Sequence, residues 1–196
     1  MPEQGTGSPP HRKAAIRRCA ESVFAQKGFD RASIRDVAKA VEMSLAGLYY
    51  YYKSKEAILF DIQRKAFETL LDLHAEALAG VRDPEEKLRV VISGHVTYFA
   101  DNLDEMKVLS RESETLTGEF TEPIGELKRR YVRLVKGIVT ELGNDKGVRV
   151  SPNAALILFG MMNWMYTWYD PARSGSAQTI ADHIFAIFTR GVLRQT

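Results

Sequence analysis

From Pro10 to Leu193 apolar residues recur at three- and four-residue intervals, and no stretch alternates convincingly in the manner of a strand. That period belongs to helices packed along one face, so the chain is expected to be all-α. Local punctuation divides it into about nine helices. Ile16, Ala20, Val23 and Phe24 mark one face of a first helix, Pro10 to Lys27, which Gly28 stops. Ser33 caps a short second helix, with Asp36 in the capping-box position. Ser44 opens a third that ends near Tyr52. Ser54 opens a fourth with a stripe at Leu59, Ile62, Ala66, Leu70, Leu73 and Ala77. Asp83-Pro84-Glu85-Glu86 starts a fifth, running to about Asn102, its acids complementing the helix dipole. A sixth covers about Glu105 to Thr115, and a seventh Pro123 to Leu142, closed by Gly143-Asn144. Ser151-Pro152 opens an eighth, which Asp170-Pro171 ends, and Ser176 opens a ninth. Residues 1–9 read as a disordered lead, 10–54 as a small three-helix unit and 55–196 as a larger helical one.

Residues 34–51, IRDVAKAVEMSLAGLYYY, fit a helix-turn-helix. Such a pair needs a small residue where the helices cross, here Ala38, and buried apolar residues around a tight turn, here Val37, Val41, Met43 and Leu48. Glu42 stands at the turn position that favours glycine, because a positive φ there costs another residue about 1 kcal/mol. The four tyrosines that follow fan out at roughly 100° per residue and cannot share one core. Leu48 and Tyr52, four apart, are expected to face inward, leaving Tyr49, Tyr50 and Tyr51 for the surface; Tyr50 could equally pack in the small unit's core.

The wider stretch, GFDRASIRDVAKAVEMSLAGLYYYYKSKEAIL, resembles the DNA-binding domain of the TetR family of bacterial transcriptional regulators. The resemblance rests on Gly28-Phe29, Ser33-Ile34-Arg35-Asp36-Val37-Ala38, Leu48-Tyr49 and Lys53-Ser54-Lys55-Glu56, and it covers about residues 12 to 60. It implies a duplex-DNA partner, with Tyr49 and Tyr51 placing hydroxyls near phosphates, Tyr50 over a sugar or base edge, and Lys55 on a phosphate at a helix start. Ser33 and Arg35 would flank this face from helix two, although Arg35 could instead pair with Asp36 or Asp30. From Ser44 to Tyr52 there is no Arg, Lys, Asn or Gln to make bidentate base contacts. Sequence preference is then expected from Ser44, from Leu45 and Ala46 against thymine methyls, from Arg35 and from DNA shape. Gly47 permits close backbone approach.

In the TetR family the remaining helices bind a ligand and form a homodimer, and a dimer reading successive half-sites implies a near-palindromic operator. Helix eight, NAALILFGMMNWMYTWYDP, is apolar on every side, which demands burial all round. Paired with helix nine, it suits a four-helix dimer interface, for which Phe159, Met165, Trp168, Ile180, Ile184, Ile187 and Phe188 are the candidates. Phe67, Tyr98, Phe99, Met106, Met162 and Trp164 are candidates for an effector pocket, although such stripes also serve as plain core. The stretch MMNWMYTWYDPARSGSAQTIADHIFAIFTRGV is similar to the end of TetR-like regulators of fatty-acid, phenylacetate and sterol breakdown, which implies a small apolar or acyl-CoA effector of a repressor. A multidrug-efflux regulator with a broad cationic-drug pocket is the alternative; few acids in helix eight argue against it.

Charge agrees with a polyanion partner for the N-terminal part. Residues 1–60 hold ten Lys/Arg against six Asp/Glu, a net +4, and the remainder seventeen against nineteen, a net −2. A lone cysteine, Cys19, excludes an internal disulfide and suits a reducing cytoplasm. No apolar run approaches the roughly 18 to 20 residues of a membrane span. His11, His74, His95 and His183 are scattered without metal-ligand spacing, and neither a phosphate-cradling glycine loop nor a nucleophile elbow is present. No cofactor is therefore expected, and an enzyme is disfavoured. His74 and His95, within apolar helical segments, fit core or pocket polar groups.

Overall fold

The computed structural model describes residues 9–193, and among these it contains ten α-helices, two 3-10 turns and no strand. Helix α1 (Pro9–Lys27) buries Ile16, Ala20 and Phe24, and Gly28, at φ +80°, ends it. The expected disordered lead over residues 1–8 lies outside the described residues; Pro9 already belongs to α1. Helix α2 (Ile34–Ala40) opens on the full capping box, Ser33 with Asp36. Helix α3 (Leu45–Tyr51) is capped by Ser44, whose hydroxyl accepts from the Gly47 amide at 3.0 Å. Between them Glu42 takes φ 55°, the strained turn expected of that position.

Helix α4 (Lys55–Ala77) is capped by Ser54 and spans both halves of the molecule. Its inner stripe is Leu59, Ile62, Ala66 and Leu70, and continues with His74 rather than Leu73, which is exposed. One core gathers α1 to α3 on Ile58, Leu59 and Ile62 of α4, closed by Val108, Leu116 and Ile124. The other gathers Leu70 of α4 with α5 (Pro84–Asp101), α7 (Thr121–Asp145), α8 (Ala154–Asn163) and α10 (Ala177–Val192). Helix α6 (Leu103–Arg111) lies between, giving Met106 to the second core and Val108 to the first.

Helix α6 stops at Arg111, short of the expected Thr115, and later boundaries differ as well. Helix α7 passes through Gly143 and Asn144 and yields only before Gly147, at φ +65°. The expected eighth helix stops at Asn163, and a 3-10 turn over Trp164–Thr167 follows. Asp170-Pro171 does not merely end a helix. The Asp170 carboxylate caps a one-turn helix α9 (Pro171–Ser174), accepting from the Ala172 amide at 2.9 Å.

Candidate nucleic-acid interface and internal cavity

On the outer side of α2 and α3, Ser33, Arg35, Lys39, Ser44, Ala46, Tyr49, Tyr50 and Lys53 are all exposed, Tyr50 most among the tyrosines at 76%. Leu45 and Gly47 are half-buried. Tyr51 is half-buried as well, its ring edge-on to Tyr50 at 5.1 Å, so its packing on the core leaves less of it for a ligand than expected. Among the described residues Arg35 makes no ion pair; Asp36 is taken by Lys27 at 2.5 Å. That contact and the bonds from Ser33 hold the Asp36 carboxyl well below its usual range. The hydroxyl of Ser33 is itself engaged by Asp36, which makes the residue first of all a helix cap.

Leu48 and Tyr52 are buried beneath this face, as the spacing predicts. The Tyr52 hydroxyl donates to Asp61 at 2.6 Å, and Arg64 donates to the other Asp61 oxygen at 2.5 Å. Burial opposes ionisation of Asp61, and the bonds from Tyr52 and Arg64 overcome it, keeping the group a carboxylate. Lys55 is placed differently from the expectation. Its ammonium lies 4.1 Å from the Phe29 ring centre and donates to the carbonyls of Phe29 at 2.6 Å and Ala32 at 3.1 Å. Those donors are spent on the α1–α2 loop, so here Lys55 is an internal staple; the exposed lysine of this run is Lys53.

Behind the second core is a cavity of about 490 Å³, walled by Phe67, Leu70, His95, Phe99, Met106, Leu109, Tyr131, Val132, Leu156, Phe159, Gly160, Trp164 and Tyr166, with Ser110, Ser113, Glu114, Lys128 and Asn163 as its polar groups. Its size and mainly apolar wall are those of a small-molecule site. Of the expected pocket residues, Phe67, Phe99, Met106 and Trp164 line it. Met162 is fully buried in the core beside it, and the Tyr98 hydroxyl instead donates to Glu105 at 2.6 Å. Phe159, expected at a dimer interface, is on the cavity wall.

Three wall residues, Ser110, Ser113 and Glu114, flank Glu112, and Glu112 reaches the other core. Its carboxylate accepts from the Phe29 amide at 3.3 Å and the Thr115 hydroxyl at 2.8 Å, and its carbonyl accepts from Gln63 at 2.8 Å. Phe29 is the residue whose carbonyl Lys55 holds. The cavity wall is thus two hydrogen bonds from the start of α4.

Residues 16–62 match the model of the bacterial regulatory proteins of the tetR family, and residues 81–192 match the tetracyclin repressor-like C-terminal domain. The chain belongs to the TetR family. It is a DNA-binding transcriptional regulator, and α2, the turn through Glu42 and α3 all fall within the matched residues 16–62. The chain is 22% identical over 97% of its length to the HTH-type transcriptional repressor KstR2 of Rhodococcus jostii, covering 96% of that protein. It is 26% identical to the fatty acid metabolism regulator protein of Bacillus subtilis, over 62% of this chain and 63% of that one. Among solved structures, AibR in complex with isovaleryl coenzyme A and operator DNA has a TM-score of 0.81 at 24% identity, covering 90% of this chain and 97% of AibR.

The outward side of this TetR-family C-terminal domain carries Leu156, Ile157, Trp164, Trp168 and Ile187, each between 48% and 63% exposed. Of the residues expected to meet a partner, only Trp168 and Ile187 belong to that face. Met165, Ile184 and Phe188 are buried within the single chain, and Ile180 packs half-buried on the same core. A helix apolar all round has no polar side to fix its rotation, so the sequence could not say which apolar side faces out. The polar cavity residues Tyr131, Lys128 and Asn163 were not among the candidates; an asparagine inside an apolar helix was the one signal for them.

Proposed function

We propose that the protein is a cytoplasmic homodimeric repressor that binds a near-palindromic operator through the exposed face of α2 and α3 and leaves it when a small apolar or acyl-CoA-type effector fills the cavity. The observation that carries this reading is the cavity itself, together with the Glu112 link from its wall to the three-helix head. An effector that displaces the 110–114 segment shifts Glu112, and with it the Phe29 loop and the Lys55 end of α4. Two heads held at one spacing then lose their fit to successive turns of DNA. AibR with isovaleryl coenzyme A and FadR of Bacillus subtilis with stearoyl-CoA, both of this fold, support the effector class. Lys128 on the wall offers a cation to an anionic head group. We assign residues 10–54 to the head and 55–196 to effector binding and dimerisation, with no catalytic role.

The test is fluorescence anisotropy with the DNA upstream of the protein's own gene. Binding should weaken steeply with salt, and octanoyl-CoA should release the DNA where a cation that does not intercalate, such as tetraphenylphosphonium, does not. Release by tetraphenylphosphonium alone would favour the multidrug reading, in which Glu114 would receive the cation.

A further inference from the structure

His95 is 2% exposed and sits on the cavity wall, its ring stacked on Tyr131 and edge-on to Phe99. Its Nδ1 lies 2.8 Å from the Tyr131 hydroxyl. Its Nε2 is buried and has no hydrogen-bond partner among the described residues. The Asn163 side chain is near enough to favour the charged ring without completing a bond to it. Burial nevertheless pushes the imidazole down to about 3, so it is neutral and carries a single proton.

The position of that proton follows from accounting for the pair. Were it on Nδ1, the Tyr131 oxygen would accept it, and the Tyr131 hydroxyl hydrogen and Nε2 would both be left unpaired. With the tyrosine donating to Nδ1, the proton sits on Nε2 and one group remains unpaired. Buried polar groups are rarely left so, and the arrangement with the single orphan is favoured. We propose that the cavity is built for a ligand with an apolar body and a neutral carbonyl oxygen, which accepts a hydrogen bond from His95 Nε2–H, with Tyr131 fixing the ring's tautomer. Plain hydrocarbons are discriminated against, because they leave the donor unpaired. A thioester and a free ketone share the required oxygen. The proposal rests on the effector reading of the cavity, but its test separates the two.

Calorimetric titration of the full-length protein uses two matched pairs of probes: octanoyl-CoA against its thioether analogue S-octyl-CoA, and 4-phenyl-2-butanone against n-butylbenzene. In at least one pair the carbonyl compound should bind roughly 10- to 100-fold more tightly, and His95→Leu should bring that gap to within about twofold. A gap in the CoA pair names a thioester source. A gap only in the ketone pair keeps the His95 site and removes the acyl-CoA reading. Should His95→Leu not fold, nitrogen-15 NMR of the histidine rings in the unmodified protein decides the tautomer, and Nε2 protonation of His95 is expected. Equal binding within both pairs, binding of none of the four compounds, or a ring protonated on Nδ1 overturns the proposal.

Discussion

Glu42 is held at φ 55° by the turn that joins α2 to α3, with the Met43 amide bonded to the Ala38 carbonyl at 2.9 Å. Glycine enters that region without the side-chain clash but gives up more freedom on folding, so Glu42→Gly should stabilise the protein by about 0.5 to 1 kcal/mol. A higher urea midpoint at unchanged slope is the expected result; a lower midpoint refutes the strain. Glu105 is a second residue whose cost can be read out. Burial pushes its carboxyl up to about 7 from an ordinary 4.5, the Tyr98 bond opposing and the Glu21 charge adding to the rise. The folded chain therefore keeps a proton that the unfolded chain has lost, and this contribution disappears as pH rises from 4.5 through 7. His95 has the opposite sign: its neutral form stabilises the fold above 6.5, and that advantage declines as pH falls toward 3. Glu105→Gln removes only the first slope while keeping an acceptor for Tyr98. Its melting temperature relative to the parent should rise between pH 5 and pH 8, by an amount corresponding to roughly 1 to 3 kcal/mol. Equal differences at the two pH values would refute the buried-acid account.

Among the elements, α3 and α6 carry the function in different ways. Helix α3 needs Leu48 and Tyr52 inside so that Tyr49 and Tyr50 stand outside, and the four-residue spacing already says so. The caps at Ser33, Ser44, Ser54, Asp83 and Ser176 were legible for the same reason: a side-chain oxygen meets an amide within three residues. What stayed hidden depends on distant partners. The role of Lys55 is set by carbonyls 23 to 26 residues earlier, and the sides of α8 by which of its apolar faces meets α7. Tyr49→Ala and Tyr50→Ala should each weaken operator binding about tenfold while leaving the fold intact, and Lys53→Ala should in addition flatten the salt dependence. Lys55→Ala should cost stability as well as affinity, because it frees the carbonyls of Phe29 and Ala32; anisotropy paired with thermal melts separates these outcomes. Glu112 is the residue that follows α6 and caps its end, so Glu112→Ala should leave operator affinity without effector near the parental value and reduce effector-induced release, with coupling falling by about 1 kcal/mol or more. A release curve identical to the parent's shows that the signal travels elsewhere.

In the whole molecule, the exposed apolar face and the cavity are one problem. Leu156, Gly160 and Trp164 repeat at four-residue intervals along the end of the chain's most apolar segment, and all three also line the cavity. The wall is therefore open to the outside where Leu156 is 57% and Trp164 63% exposed. A second subunit laid over Ile157, Trp168 and Ile187 would dry this face and close the cavity in the same step, and dimerisation would then be part of effector binding as well as of operator spacing. Charge is the cleanest probe, because Ile157 and Ile187 point away from their own core and tolerate a carboxylate in the monomer. Ile157→Asp combined with Ile187→Asp should give a folded monomer by sedimentation and unchanged helicity. That monomer should lose operator affinity by at least a hundredfold, since one head reads one half-site. It should also bind octanoyl-CoA more weakly, by roughly tenfold, because the unclosed wall leaves apolar ligand surface in water. Ile184→Asp is the control: 7% exposed within its own subunit, it should unfold the chain rather than split it. A double variant that remains dimeric, or a monomer that binds both DNA and ligand as the parent does, would separate the apolar face from the cavity and leave each without the other's explanation.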